Sequence, residues 1–344
     1  MPNRFSRKNV KLRELPSLRY IFSTLPPGQK TLFTWGVVHL CFGIVLWAKG
    51  QWNDSLALTG FAYLVIFDAF GVFTTFASAV LITYRSLRES SIKHPFGVQR
   101  YEVLLGFINT IYLIFVAMYV MKESLEHLLL ESSEDHYDES VEFPLLWVLM
   151  SIGATLVSAI GYQNHKEFCA LFRSPPVGTS LYSHRSSQDM LSILKGNIFT
   201  LTTLFCGAGV LIVGIFTKIN EHIGWLDIIV SICESLLMFY VGVPLAIALG
   251  KILLQTTPET IILSLEACLQ ELQERDPAIL SITQTHVWQN SYGQLIGSLT
   301  VQVTPEANDQ TVLEHVYQRL GPLLGVGNNN LGYGSGELTV QIVK

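Results

Sequence analysis

Long apolar blocks alternate with short polar ones over residues 31–252. The apolar blocks are about Leu32–Ala48, Leu56–Tyr84, Tyr101–Met121, Phe143–Gln163, Ile193–Phe216 and Trp225–Gly250. Most approach the roughly 20 residues that a helix needs to cross a bilayer, so six transmembrane helices are predicted. The second is longer and predicts a tilted or projecting helix. After the sixth block the pattern changes. Pro258–Glu274 carries Ile261, Ile262, Leu265, Cys268, Leu269 and Leu272 at helical spacing. Ile279–Gln289 alternates as a strand does. Asn290-Ser291-Tyr292-Gly293 signals a turn, and Leu295–Val303 reads as a second strand. Asn308–Leu324 predicts a helix capped by Asn308 or Asp309. Gly325–Gly336 reads as a loop rich in Gly and Asn, and Glu337–Lys344 as a last strand. The predicted fold class is a membrane all-α six-helix transporter domain, residues 31–252. A cytosolic α+β (αββαβ) C-terminal domain, residues 257–344, follows it, and a basic tail, residues 1–30, precedes it.

Composition agrees with this division. The 344 residues are 49% hydrophobic and only 14% charged, where soluble domains run near ~25% charged. Charge placement then orients the chain. Arg4, Arg7, Lys8, Lys11, Arg13, Arg19 and Lys30 make the N-terminal tail basic, and it reads as a solvated cytosolic arm. Arg85, Arg88, Lys93 and Arg100 lie between spans two and three, and Lys166, Arg173, Arg185 and Lys195 between spans four and five. The segment between spans three and four is acidic, with Glu131, Glu134, Asp135, Asp138, Glu139 and Glu142. Basic segments alternate with non-basic ones, which puts both termini in the cytosol. The acidic segment reads as an ordinary solvated loop facing a lumen or the outside. No apolar run begins in the first thirty residues, so no cleavable signal peptide is expected.

Little soluble chemistry is written in the chain. The cysteines Cys41, Cys169, Cys206, Cys233 and Cys268 show no C-x-x-C spacing and read as small apolar or isolated residues. His165 and His184 read as polar residues of the segment between spans four and five. There is no phosphate loop and no nucleophile elbow, so an enzyme is not predicted. The tail domain is acidic, which excludes nucleic-acid binding as an expectation. Two intramembrane acids stand out instead. Asp68 lies mid-span, with Gly71 and Thr75 on the same helical face, and Glu234 lies in Ser231-Ile232-Cys233-Glu234-Ser235. A charge at that depth costs roughly 2.5–3.5 kcal/mol on insertion scales and normally faces the protein interior.

His94-Pro95-Phe96-Gly97-Val98-Gln99-Arg100-Tyr101-Glu102-Val103-Leu104-Leu105-Gly106-Phe107-Ile108-Asn109 resembles the run that opens the third span of the cation diffusion facilitator (zinc transporter) family. Gly224-Trp225 with Asp227, the Leu253–Pro258 run and His286-Val287-Trp288 are similar to that family in register. The resemblance implies a six-span zinc transporter whose active members pair His or Asp with Asp at i, i+4 on spans two and five. That spacing puts both ligands of a helix on one face, and two such faces supply the tetrahedral set that zinc takes.

Aligned on the family's Asp-x-Phe, the first pair falls on Gly71 and Thr75. The second falls on Thr200 and Leu204 or on Thr202 and Cys206, and Ile198–Phe216 contains no His, Asp or Glu. Both pairs are absent, so no metal ligand and no cofactor are expected in this chain. The resemblance implies a non-conducting subunit that supports a paralogous, transport-competent zinc transporter, of the zinc transporter 5 kind. That partner would carry the zinc by zinc/proton antiport into the lumen of the Golgi or early secretory pathway. Glu102 and Asn109 read as packing polar groups on span three, and His286 and His315 as weak metal candidates in the tail. The alternative is a self-sufficient cation or proton-coupled transporter using Asp68 and Glu234.

Overall fold

The computed structural model describes residues 17–84, 87, 98–130, 143–172, 196–219, 224–326 and 336–344. The expectations for residues 1–16, the acidic segment 131–142, His184 and His94–Gly97 lie outside the described residues. The bundle is built from α2 (Pro27–Trp52), α3 (Leu56–Thr83), α4 (Arg100–Leu130), α5 (Leu145–Gly161), α7 (Ile198–Ile219) and α8 (Gly224–Leu253), with short helices α1 (Leu18–Thr24) and α6 (Lys166–Phe172) at its edge. Five of these, all but α5 among the long ones, are long and apolar enough to cross a membrane. Helix α5 has 17 residues, about 26 Å at 1.5 Å each, slightly short of the hydrocarbon thickness.

Several helix ends differ from those read in the sequence. Helix α2 begins at Pro27 rather than Leu32, because Pro26 and Pro27 pre-set its first turn. Helix α7 begins at Ile198 rather than Ile193, where the Asn197 side chain accepts the Thr200 amide at 3.1 Å. The N-terminal stretch is also not wholly a solvated arm. Residues 18–24 form α1, whose Ile21 is buried with Leu25 against Leu81 and Leu87. The apolar Ile21, Phe22 and Leu25 outweigh the flanking basic residues, and Thr24 bonds the Tyr84 hydroxyl at 2.7 Å.

Small residues let the helices approach closely. Gly36, Gly43 and Gly50 of α2 face Phe73, Ile66 and Thr59 of α3, and a Cβ at Gly43 would lie 2.6 Å from Ile66 Cγ1. Polar groups then join the other helices. Ser235 of α8 donates to the Ala117 carbonyl of α4 at 2.7 Å, and Ser124 bonds Ser231 at 2.7 Å. Asp227 at the start of α8 caps α3, accepting from Ser55 Oγ at 2.6 Å and from the Leu56 amide at 2.7 Å. Asn109 of α4 donates to the Phe67 carbonyl of α3 at 3.2 Å.

The C-terminal elements run α9 (Glu259–Arg275), β1 (Ile279–Ser291), β2 (Gln294–Val303), α10 (Asp309–Leu324) and β3 (Glu337–Val343). Strands β1 and β2 are antiparallel and β2 pairs with β3 in parallel, giving the sheet order β1-β2-β3. Val301, Val303, Val316 and Leu320 lie in the core between sheet and helices. Asn308 caps α10 through the Gln310 amide at 3.0 Å. This is the αββαβ order read from the sequence.

The hairpin turn ties this unit to the bundle. Tyr292, between β1 and β2, is buried in the bundle's own core cluster. A Cβ at Gly106 of α4 would lie 2.7 Å from the Tyr292 hydroxyl and 2.9 Å from the Phe168 ring of α6. Burial pushes the Tyr292 phenol well above its ordinary pKa, with Glu102 and Glu167 adding to the shift. Arg100 donates to the Leu253 carbonyl at 2.9 Å and Thr257 to the Val287 carbonyl at 2.7 Å across the same junction.

Gly43→Val is expected to destabilise the bundle by about 1–3 kcal/mol through overpacking, read as a lower unfolding midpoint in detergent. Gly153→Ala, with nothing near its Cβ, is expected to be neutral or stabilising by up to about 1 kcal/mol. Tyr292→Ala is expected to cost about 3–5 kcal/mol by the same measurement. Tyr292→Phe should cost under about 1.5 kcal/mol, since the buried hydroxyl has no hydrogen-bond partner among the described residues.

Candidate functional site

Asp68 sits at the middle of α3 and is fully buried. The helical repeat puts Gly71 and Thr75 on its face, as read from the sequence. What covers that face is His165. Its Nε2 lies 2.7 Å from Asp68 Oδ1, and both side chains are inaccessible to solvent. A Cβ at Gly71 would lie 2.6 Å from the His165 Cε1, so the imidazole occupies the room that any side chain at position 71 would take. The neighbouring backbone closes the rest of the face. Thr75 Oγ1 donates to the Asn164 carbonyl at 3.2 Å or to its own helix at Gly71, and Asn164 Nδ2 donates to the Asp68 carbonyl at 3.3 Å.

Three aromatic rings wall the imidazole. Phe67 stacks on it at 5.1 Å, Phe168 at 5.6 Å, and Phe199 of α7 lies tilted at 5.2 Å. Thus α7 brings Phe199 to this level. Of the alternative span-five positions, Thr200 is buried and its backbone amide donates to the Asn197 side chain, Leu204 is half-buried, Thr202 donates to the Ile198 carbonyl, and Cys206 is buried.

His165 is therefore a correction to the sequence reading, which placed it among polar loop residues. The chain turns sharply after α5, with Gln163 in the left-handed region at φ +49°, and α6 packs back on the bundle. On α6 the apolar Phe168 lies three positions after His165, so burial of one draws in the other. That i, i+3 pair, complementary to a glycine on α3, was the only signal available.

His39 of α2 is a second buried histidine that sequence reasoning did not single out. Because Gly36 meets Phe73 and Gly43 meets Ile66, His39 lies level with the Asp68 turn of α3. Its Nδ1 bonds Ser158 Oγ of α5 at 2.8 Å, and Trp35 Nε1 donates to the same hydroxyl at 2.9 Å. The signal was a lone histidine inside a glycine-spaced apolar span.

Glu234 belongs elsewhere. It is buried on α8 against Gly60, where a Cβ would lie 2.4 Å from Oε2. Gly60 and Asp68 are two turns apart on α3, about 12 Å along its axis, so the two acids do not share a site. In the tail, His315 bonds Asp276 at 2.9 Å and the exposed His286 packs edge-on against Trp288 at 4.8 Å. The two histidines have different neighbours. Among the described residues no three of His, Cys, Asp and Glu converge closely enough to hold a metal ion.

Residues 32–254 match the cation efflux transmembrane domain. The chain belongs to the cation efflux family. It is similar to zinc transporter 6 of Homo sapiens, 31% identical over 328 residues that cover 91% of this chain and 65% of the relative. The similarity to zinc transporter 6 of Danio rerio is 30% over 340 residues, 94% of this chain and 66% of that protein. The chain thus spans about 65% of the length of the curated relatives it matches. Cation efflux proteins are transporters rather than enzymes, in keeping with the absence of enzyme motifs from the sequence. Within that cation efflux bundle, the Asp68 face of this chain is covered by its own histidine and asparagine.

Removing one member of the buried pair leaves the other without its partner. His165→Ala is expected to cost about 3–5 kcal/mol in unfolding experiments. Asp68→Ala combined with His165→Ala should cost less than the two single changes summed, with a coupling of about 1–3 kcal/mol in a double-mutant cycle.

Proposed function

We propose that this chain is a non-conducting subunit of a zinc transporter. It supports a transport-competent paralogue of the zinc transporter 5 kind, which carries the zinc into the lumen of the Golgi or early secretory pathway in exchange for protons. The observation that supports this reading most is the His165 ring in the space beside Gly71. A transported cation needs an open, polar face on span two. Here that face holds a ring stacked between phenylalanines, and Thr75 bonds Asn164 or its own helix. The scaffold around it is intact, and the intact scaffold is what a supporting subunit contributes. In this reading the αββαβ unit docks on the partner's tail, and both termini lie in the cytosol as the alternation of basic segments implies. Zinc as the carried ion rests on the family and on the relatives' names.

The rival reading, a self-sufficient transporter using Asp68 and Glu234, needs both acids on one path. Their separation along α3 and the pairing of Asp68 with His165 favour the supporting role.

Expression in cells lacking vesicular zinc uptake tests the proposal. Uptake is expected only when this chain is co-expressed with the transport-competent paralogue, and the two should co-purify from detergent in equal amounts. Zinc uptake by this chain alone, abolished by Asp68→Asn and Glu234→Gln, would refute it.

A further inference from the structure

We propose that the turn between β1 and β2 is a plug, with the Tyr292 ring sealing the Asp68 face at the end of the bundle that meets the C-terminal unit. A polar turn between two strands normally lies in solvent, because its backbone and side chains need partners that water supplies. This one does not. Asn290, Ser291 and Tyr292 are all buried, Tyr292 to 4% exposure, and only Gly293 of the turn is open. The turn meets part of its own demand for partners. Asn290 Nδ2 and Ser291 Oγ both donate to Gln294 Oε1, at 3.1 Å and 3.3 Å. Gly293, at φ +74°, reverses the chain, and the Tyr292 ring beside it lies in the core cluster of the bundle rather than in that of its own unit.

The second observation is where the ring comes to rest. Helix α4 starts at Arg100, so Gly106, which faces Tyr292, is about 9 Å along it. Asn109 of α4 bonds the Phe67 carbonyl of α3, and Glu102 accepts from Ser78. Between those two contacts, Gly106 stands level with Gly71. Tyr292 therefore reaches the level of the Asp68 face, and the Phe168 ring touches both position 106 and His165 there. Polar groups mark the way in along α3: the Ser78–Glu102 contact first, then Thr75 one turn nearer Asp68. Such a strip admits water and ions, and a ring set into it keeps them out. The Tyr292 hydroxyl has no hydrogen-bond partner among the described residues, so shape does the sealing. The turn is held from its flanks, by Thr257 on the Val287 carbonyl and by Arg100 on the Leu253 carbonyl. The seal does not depend on whether the chain conducts zinc or which paralogue it meets.

The test is thiol accessibility in the full chain, held in lipid nanodiscs. Thr75→Cys places the reporter on the Asp68 face. Cys41, Cys169, Cys233 and Cys268 are replaced by alanine, and the buried Cys206 is kept as a check on the fold. The probe is a charged, membrane-impermeant methanethiosulfonate. Its reaction at position 75 is expected to be slow with the turn intact and at least about tenfold faster in Tyr292→Ala, with Cys206 unmodified in both. Tyr292→Phe is expected to keep the protection, because the ring fills the space. Should Tyr292→Ala unfold the bundle, seen as reaction at Cys206, Gly106→Ala takes its place, since it keeps the turn whole and puts a methyl group in its seat. Reaction at position 75 that is as fast with the turn intact as at the exposed control Gln163→Cys overturns the proposal. So does a rate unchanged by Tyr292→Ala, or by Gly106→Ala where the former unfolds.

Discussion

A carboxyl group in the middle of an apolar helix has to be paired, and the arrangement around α3 follows from how Asp68 meets that demand. Unpaired, an ion at that depth costs several kcal/mol. Among the described residues no lysine or arginine pairs with it, and its ion-pair partner is His165. The pairing comes from the connection after α5, which turns at Gln163 and delivers His165 from outside the helices. That choice fixes the position of α6, whose Phe168 stacks on the ring, and it sets the identity of residue 71, because only glycine leaves the ring its room.

The same logic recurs at the other acid. Gly60 on α3 leaves room for Glu234 as Gly71 does for His165. Helix α3 is therefore notched twice, and each notch receives a polar side chain from another element. Its third interface, against α2, uses the opposite arrangement, with glycines on α2 receiving Phe73, Ile66 and Thr59. A helix that packs on all sides cannot be large everywhere, and here the small positions sit where a neighbour brings bulk or charge.

The apolar blocks, the αββαβ order and the Asn308 cap were legible in the sequence because each rests on local periodicity or on one turn of chain. Asp68, Gly71 and Thr75 were legible as one face for the same reason. Their covering was not. His165 follows a span in sequence, and nothing local separates a histidine that folds inward from one left in solvent. The information lies in a complementarity between Gly71 and His165, 94 positions apart, and in the aromatic walls that make the pocket. His39 escaped for a related reason: its level in the bundle depends on the register of α2 against α3, which the glycine spacing implies only once the two helices are known to touch. The α1 segment shows the converse, since a basic stretch reads as solvated even when three apolar residues within it suffice to dock.

The junction with the C-terminal unit gives the buried pair a mechanical neighbour. Tyr292 and Phe168 press on the same glycine, Gly106, so the hairpin turn and α6 compete for one space on α4. Phe168 in turn lies on the His165 ring. A Cβ at position 106 would lie 2.7 Å from the Tyr292 hydroxyl and 2.9 Å from the Phe168 ring, so glycine is what lets the turn and α6 share this surface of α4. Packed interiors hold few voids, so a change at one such contact is felt at its neighbours. The covering of Asp68 is thus braced from the C-terminal unit through two aromatic rings.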